Sequence, residues 1–214
     1  MPTVKSGWKK IGFLPQIALG FYFAPGLRKG IVMKTSTRKI VAIAFFGALA
    51  TVLMWFPKFP LFPVVPMLSY DFSDVPVLIG TFSLGPVAGV FIAIVKNVLY
   101  FLTRSRSGLI GTFMNWSSTT AFLLVAGVFY HYVKKDRIGA AVGMVLGTAV
   151  FTCVAVLLNI HVALPMWGIP TEQIAPLVTT GIIPFNLARG GISTIATLLL
   201  YRRTADVVRK HLRV

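Results

Sequence analysis

The sequence predicts an all-α, polytopic membrane protein with six transmembrane helices and a long ordered loop between helices 1 and 2. Hydrophobic residues make up 56% of the 214 residues and charged residues only 12%, whereas roughly a quarter of the residues in soluble domains are charged. The charges are also clustered, which leaves uncharged stretches of about the length that a spanning helix needs. These stretches are residues 40–57, 75–95, 107–133 and 138–171.

The basic residues lie where cytoplasmic anchors of membrane helices are expected. Their clusters account for much of the formal net charge of +16, and they flank the apolar stretches, as the positive-inside rule predicts. A nucleic-acid-binding surface is therefore not expected. We predict a multi-pass protein of the cell membrane, in contact with the lipid bilayer, with both termini in the cytoplasm. The clusters are Lys34, Arg38 and Lys39; Lys134, Lys135 and Arg137; and Arg202, Arg203, Arg209, Lys210 and Arg213.

Residues 1–33 differ in pattern from the rest of the chain. Two lysines before the apolar run 11–25 resemble a signal peptide, but no small-residue cleavage site follows, and two prolines interrupt a spanning helix. We expect a peripheral N-terminal extension or a natural start at Met33, with an interfacial helix as the alternative. Residues 34–214 then form the six-helix membrane domain.

The first helix is predicted at about 40–56. Four prolines within 57–66 lack the backbone N–H that a helix requires, so a long loop follows. Asp71, Ser73 and Asp74 precede Pro76, a pattern typical of a helix N-terminus. The second helix is therefore expected to begin near residue 75.

The pair Gly85–Pro86 decides the number of helices. If it forms a cytoplasmic turn, the basic clusters at 134–137 and at the C-terminus both lie inside. A single span over 75–95 would place the first of these clusters outside, so we predict six helices. After the first, they are expected at 75–83, 86–103, 108–133, 138–163 and 178–203.

Polar side chains from four of these helices share a similar depth. A count of about 1.5 Å per residue from the predicted outer helix ends places them all in the outer half of the bundle. The inner half is almost wholly apolar by the same count. The sequence therefore predicts a binding cavity that opens toward the outside, and it argues against a continuous polar channel. The residues are Lys96, Asn97, Asn115, Asn159, Asn186 and Arg189.

Arg189 is the strongest candidate ligand contact. An arginine near a helix centre is costly and normally faces a partner or a cavity, and Asn186 shares its helix face at a spacing of three. The alternative is that Arg189 pairs with Asp71 or Asp74 and holds the loop down. Lys96 is expected to form such an ion pair with one of these two carboxylates.

Three of the asparagines each allow two interpretations. Asn97, Asn115 and Asn159 are as easily explained by interhelical hydrogen bonds as by ligand contact, and their common depth favours a site. On the first helix, Ala44 and Ala48 form a small-xxx-small pattern. Such a pattern allows close approach of another helix, either within the bundle or from a partner protein.

Several classes of chemistry have no support in the sequence. It contains no P-loop, HExxH or GxSxG motif. The single Cys153 excludes an internal disulfide and a cysteine metal cage, and the three histidines have no metal-ligand spacing. We therefore expect neither an enzyme, nor a metal site, nor a bound cofactor.

Several stretches of the chain resemble the substrate-binding S components of energy-coupling factor (ECF) vitamin transporters, most closely the riboflavin-specific members. The resemblance extends over about residues 34–203, and DFSDVP and GIIPFN are its most specific parts. The stretches are FP at 59–60, LSYDFSDVP at 68–76, GPVAG at 85–89, KN at 96–97, LN at 158–159 with LP at 164–165, and GIIPFN at 181–186.

The resemblance implies a subunit that binds riboflavin under the loop between helices 1 and 2. Leu68 and Tyr70 of that loop, with Asn159, Asn186 and the position of Arg189, would then contact the flavin. The family would have lysine where this chain has Arg189, whose guanidinium makes forked contacts, so flavin mononucleotide (FMN) is a second expected ligand.

The resemblance also implies partners. Ala44 and Ala48 match the docking motif for a transmembrane coupling subunit, which two ATPase subunits drive. Two alternatives remain open at this point: an S component for another vitamin, such as thiamine or biotin, and a membrane scaffold subunit without a ligand.

Overall fold

The structure, a computed structural model, describes residues 37–55, 58–62, 68–104 and 108–212. The predicted extension 1–33 lies outside the described residues. Six helices occur in the described part, in the predicted order. They are α1 (Thr37–Trp55), α2 (Asp74–Leu84), α3 (Pro86–Arg104), α4 (Gly108–Val128, continued by a π-helical turn Phe129–Val133), α5 (Arg137–Leu158, continued by Asn159–Ala163 and Leu164–Met166) and α6 (Thr171–Leu177, Val178–Ile182 and Ile183–Leu212).

Five of the six helices are long and apolar enough to cross a membrane. They are α1, α3, α4, α5 and α6. Helix α2 has 11 residues, or about 16 Å at 1.5 Å per residue, against about 30 Å for the hydrocarbon layer. The predicted number of helices is therefore confirmed, but the second helix is too short to cross a bilayer by itself.

The short helix α2 forms the centre of the bundle. All of its residues are buried, and it packs against α1, α3, α4 and α6. Asp74 is the only charged residue in this helix, so its other side chains can pack closely. It ends at Gly85, whose φ of 104° is accessible to glycine but strained for other residues. The expected Gly85–Pro86 turn therefore separates α2 from α3.

The loop between α1 and α2 contains the only strands in the described part of the chain. Strand β1 (Phe59–Pro60) pairs antiparallel with β2 (Ser69–Tyr70). The ring of Phe72 packs edge-on against the rings of Phe59 and Tyr70 at centroid distances of 6.2 and 5.1 Å. The described parts of the loop are thus paired with each other, and the all-α prediction did not include this ribbon.

The N-termini of α5 and α6 show how the chain starts its longest helices. Asp136 caps α5 by accepting a hydrogen bond from the Gly139 N–H at 2.6 Å, and this bond lowers the pKa of that carboxyl below its ordinary value. Helix α6 begins at Thr171 rather than at the predicted 178. The added first segment contains Pro176, a residue that disfavours a helix interior, and a π-helical turn follows that segment.

The half of the bundle farther from the Asp74 end of α2 is less apolar than the sequence indicated. It buries several hydroxyl groups, of which the Thr81 hydroxyl donates to the Val77 carbonyl. Those of Ser83, Thr194 and Thr197 have no hydrogen-bond partner among the described residues. Depth counting missed them because serine and threonine are small and neutral.

Gly47 on α1 allows close approach of α3. A Cβ added there would lie 2.5 Å from Val95 Cγ1, whereas one added at Gly191 on α6 would have no atom within 4 Å. We expect Gly47→Ala to lower the stability of the purified protein by about 1–3 kcal/mol through overpacking, measured by thermal unfolding in detergent. Gly191→Ala should be neutral or stabilising. Equal melting temperatures for the two variants would contradict this account of the α1–α3 contact.

Candidate functional site

Asp74 at the start of α2 binds side chains from three other helices. It is 1% exposed. Its Oδ1 accepts from Lys96 Nζ of α3 at 2.9 Å and from Thr119 Oγ1 of α4 at 3.3 Å. Its Oδ2 accepts from Arg189 of α6, from Nε at 2.9 Å and from Nη2 at 2.8 Å. One carboxylate therefore connects α2 to α3, α4 and α6.

The ion pair expected for Lys96 is formed with Asp74. Lys96 also donates to Ser73 Oγ at 3.1 Å. Asp71, which we expected to share this role, instead accepts from the Ser73 backbone N–H at 3.0 Å. Asp71 is buried as well, so this region buries two carboxylates together with the two cations Lys96 and Arg189.

Arg189 has both of the roles that the sequence left open. Besides its pair with Asp74, it lines a cavity, and its Cζ lies 5.2 Å from the ring centroid of Phe151. When the Asn115 amide is oriented to satisfy both of its groups, its oxygen accepts from Arg189 Nη2 at 3.2 Å and Nη1 at 3.3 Å. Asn115 then donates to Asn97 Oδ1 at 3.1 Å.

The cavity lies among α1, α3, α4, α5 and α6. The loop between α1 and α2 and the connection between α5 and α6 also line it. Its volume is about 740 Å³, within the range of small-molecule sites. The predicted residues Leu68, Asn115, Asn159, Asn186 and Arg189 all line it, together with Asp71. The other lining residues are Met54, Lys58, Ser69, Tyr100, Gly111, Met114, Ser118, Phe151, Ala155, Trp167, Ile169 and Phe185.

Two predicted contacts do not line the cavity. Asn97 is buried and donates to the Ala93 carbonyl at 2.8 Å. It contacts Asn115, which lines the cavity, but does not reach the cavity itself. Tyr70 is 2% exposed and packs with Phe185, because its strand turns this side chain toward α6. Burial raises the pKa of Tyr70 to about 12, so the hydroxyl stays protonated; it lies 3.4 Å from Ser193 Oγ.

Helical spacing could have identified the cavity residues that the sequence analysis missed. On α5, Phe151 and Ala155 precede Asn159 at steps of four, and on α4 Gly111, Asn115 and Ser118 share one face. Lys58 and Trp167 carried no such signal, because they lie in connections. Lys58 Nζ donates to Tyr100 Oη at 2.8 Å, which links the α1–α2 loop to α3.

The expected docking residues Ala44 and Ala48 lie on the outside of α1. Both are exposed, whereas the neighbouring Gly47 faces α3. Large apolar side chains beside them, such as Val41 and Phe45, are each 61% exposed. This stripe therefore does not pack within the bundle, which removes internal packing as the reason for its small residues.

A family model for the substrate-specific component of ECF transporters matches residues 38–201. The chain therefore belongs to this family of membrane transport proteins, as the sequence resemblance predicted. The matched region includes every residue that lines the cavity, from Met54 to Arg189.

Individual relatives are similar over most of the chain. A protein named riboflavin transporter RibU from Staphylococcus aureus (strain TCH60) is 37% identical over 81% of this chain and 93% of its own length. Riboflavin transporter FmnP from Bacillus subtilis (strain 168) is 32% identical over 77% of this chain and 90% of its own length.

Solved structures agree with this assignment. The S component of a bacterial ECF transporter superposes with a TM-score of 0.69 at 38% identity, over 80% of this chain and 98% of that chain. ThiT from Listeria monocytogenes superposes with a TM-score of 0.57 at 17% identity, over 79% of this chain and 96% of that chain. This likeness shows a shared fold.

Replacement of Asp74 should destabilise the protein severely. Asp74→Asn leaves Lys96 and Arg189 without their main counter-charge, and breaking a buried ion pair costs about 3–5 kcal/mol. We expect a large fall in the melting temperature in detergent. Asp136→Asn is the matched control, because Asp136 pairs with Lys134 in an exposed contact and asparagine also caps helices. Comparable melting temperatures in the two variants would show that Asp74 is not the main tie between helices.

Proposed function

We propose that this chain is a riboflavin-binding S component that captures the flavin from the outer side of the membrane. The observation that carries the proposal is the single cavity into which Asn115, Asn159, Asn186 and Arg189 converge from three helices. The 37% and 32% identical relatives named as riboflavin transporters support the choice of ligand.

The lining suits a planar, uncharged ligand with a polar edge. Phe151, Phe185 and Trp167 provide apolar walls, with Met54 and Met114 as adaptable neighbours. Riboflavin has an apolar ring face, an imide edge and a hydroxylated chain, which need apolar walls and a few convergent amides.

FMN is a second candidate ligand because Lys58 also lines the cavity. Its side chain is exposed at the loop between α1 and α2, and an ammonium there can pair with a phosphate. Competition of FMN with riboflavin, in the parent protein and in Lys58→Met, tests this point. We expect Lys58→Met to lower the affinity for FMN more than the affinity for riboflavin.

Transport requires partners in this proposal. The sequence contains no nucleotide-binding P-loop, so energy would come from two ATPase subunits through a transmembrane coupling subunit. The exposed stripe on α1 with Ala44 and Ala48 offers a surface for that subunit, since small residues allow close helix approach. The positive-inside rule places both termini in the cytoplasm.

Riboflavin binding is the direct test of the function. Titration of the purified protein should quench flavin fluorescence and raise the melting temperature, since a ligand that binds only the folded state stabilises it. Asn159→Leu and Asn186→Leu should each weaken riboflavin by about tenfold or more, because each removes a polar group that the bound imide would otherwise meet. A protein that neither quenches nor is stabilised by riboflavin would refute the assignment.

The docking stripe has a separate test. Ala44→Leu combined with Ala48→Leu should abolish co-purification with the coupling subunit and leave riboflavin affinity unchanged, because bulky side chains prevent close helix approach. Ala149→Leu is the matched control, since Ala149 is an exposed alanine on α5. Unchanged co-purification of the α1 double variant would place the docking surface elsewhere.

A further inference from the structure

The amides that line the cavity differ in the groups that they leave free for a ligand. Asn159 Nδ2 donates to the Ala155 carbonyl at 2.7 Å, and Asn186 Nδ2 donates to the Ile182 carbonyl at 2.7 Å. Since an amide nitrogen carries two hydrogens, each of these residues keeps one N–H and its whole oxygen. Both can therefore donate to a ligand and accept from it.

Asn115 is different because its oxygen is already occupied. The oxygen has two lone pairs, and Nη1 and Nη2 of Arg189 lie 3.3 and 3.2 Å from it. One amide hydrogen goes to Asn97 Oδ1 at 3.1 Å. Asn115 is left with a single N–H for the cavity that it lines.

The guanidinium of Arg189 is similarly committed. Nε and Nη2 donate to Asp74, and Nη1 and Nη2 face Asn115. Of the five N–H groups of an arginine, one on Nη1 remains. The ring of Phe151 lies 5.2 Å from Cζ and provides a further contact for the guanidinium. Most N–H donors of the Arg189 guanidinium therefore bind other side chains of the protein rather than a ligand.

We propose that Arg189 and Asn97 are positioning residues that make Asn115 a donor-only, specificity-determining contact. This inference rests on the proposed riboflavin binding and refines it. Asp74 orients the guanidinium, the guanidinium holds the Asn115 oxygen away from the ligand, and Asn97 holds one of its hydrogens. The cavity then has two chemically different sides: Asn115 and Arg189 only donate, whereas Asn159 and Asn186 both donate and accept.

This asymmetry selects a ligand by the arrangement of its polar groups. A flavin carbonyl oxygen, ring nitrogen or ribityl oxygen can face Asn115, because each accepts a hydrogen bond. The imide N–H needs an acceptor, which the amide oxygens of Asn159 and Asn186 and the carboxylate of Asp71 offer and Asn115 does not. A ligand that presents a donor toward Asn115 would meet N–H groups and leave its own donor unpaired, which costs affinity.

A double-mutant cycle between Asn97 and Asn115 tests the proposal. Asn97 does not line the cavity, and Asn97→Leu leaves the pairs of Asp74 in place, so this variant is expected to fold. We expect Asn115→Leu to weaken riboflavin by about tenfold and Asn97→Leu by about threefold, measured by flavin fluorescence quenching. The double variant should bind no more weakly than Asn115→Leu alone.

A second cycle tests the role of Arg189. Arg189→Lys can keep a cation beside Asp74 but lacks the fork that holds Asn115. We expect Asn115→Leu to lower the riboflavin affinity by less than about threefold in the Arg189→Lys background. Melting temperatures without ligand will show whether each variant is folded.

The outcomes distinguish the positioning role of Arg189 and Asn97 from riboflavin binding itself. Riboflavin binding by the parent protein with fully additive effects in both cycles, or with no effect of Asn97→Leu, would overturn the positioning role alone. A failure of the parent protein to bind riboflavin would overturn the proposed function and this inference together. Non-additivity in both cycles is the result that supports the inference.

Discussion

The carboxylate of Asp74 is the interaction on which the interior of this bundle depends. It begins a helix too short to cross a membrane, and it binds Lys96 and Arg189 at 2.9 and 2.8 Å. A charge at membrane depth persists only with a partner or in a water-filled cavity. With the buried Asp71, two carboxylates offset two cations, so this polar centre can lie inside a lipid-facing bundle whose outer surface is rich in exposed apolar side chains such as Phe45 and Leu102.

Two members of this ion cluster, Arg189 and Asp71, also line the cavity. Because Arg189 is held by Asp74, it can hold Asn115 in turn, and Asn115 meets Asn97. The structural ion pair and the ligand site are therefore parts of one network, and a substitution in one will be felt in the other. This explains why the sequence analysis found two plausible roles for Arg189: the structure gives it both.

Much of the site could be predicted from spacing and depth. Uncharged stretches located the helices, and the depth of Asn115, Asn159, Asn186 and Arg189 indicated one cavity, because only polar residues that face the interior are tolerated inside a membrane. Sequence reasoning placed Asn97 and Tyr70 in the ligand site as well. It could not see that a rotation of α3 turns Asn97 behind Asn115, or that β2 directs Tyr70 toward Phe185.

The sequence by itself determined the helices, the position of the loop that follows the first helix, the family and the depth of the polar residues, since helix length, proline positions and charge clusters act locally along the chain. Only the tertiary structure decided that Lys96 and Arg189 share Asp74, that α2 lies at the centre, and which amide groups stay free. These choices depend on the rotation and tilt of each helix against its neighbours. Packing across the bundle sets both, and no local pattern encodes it.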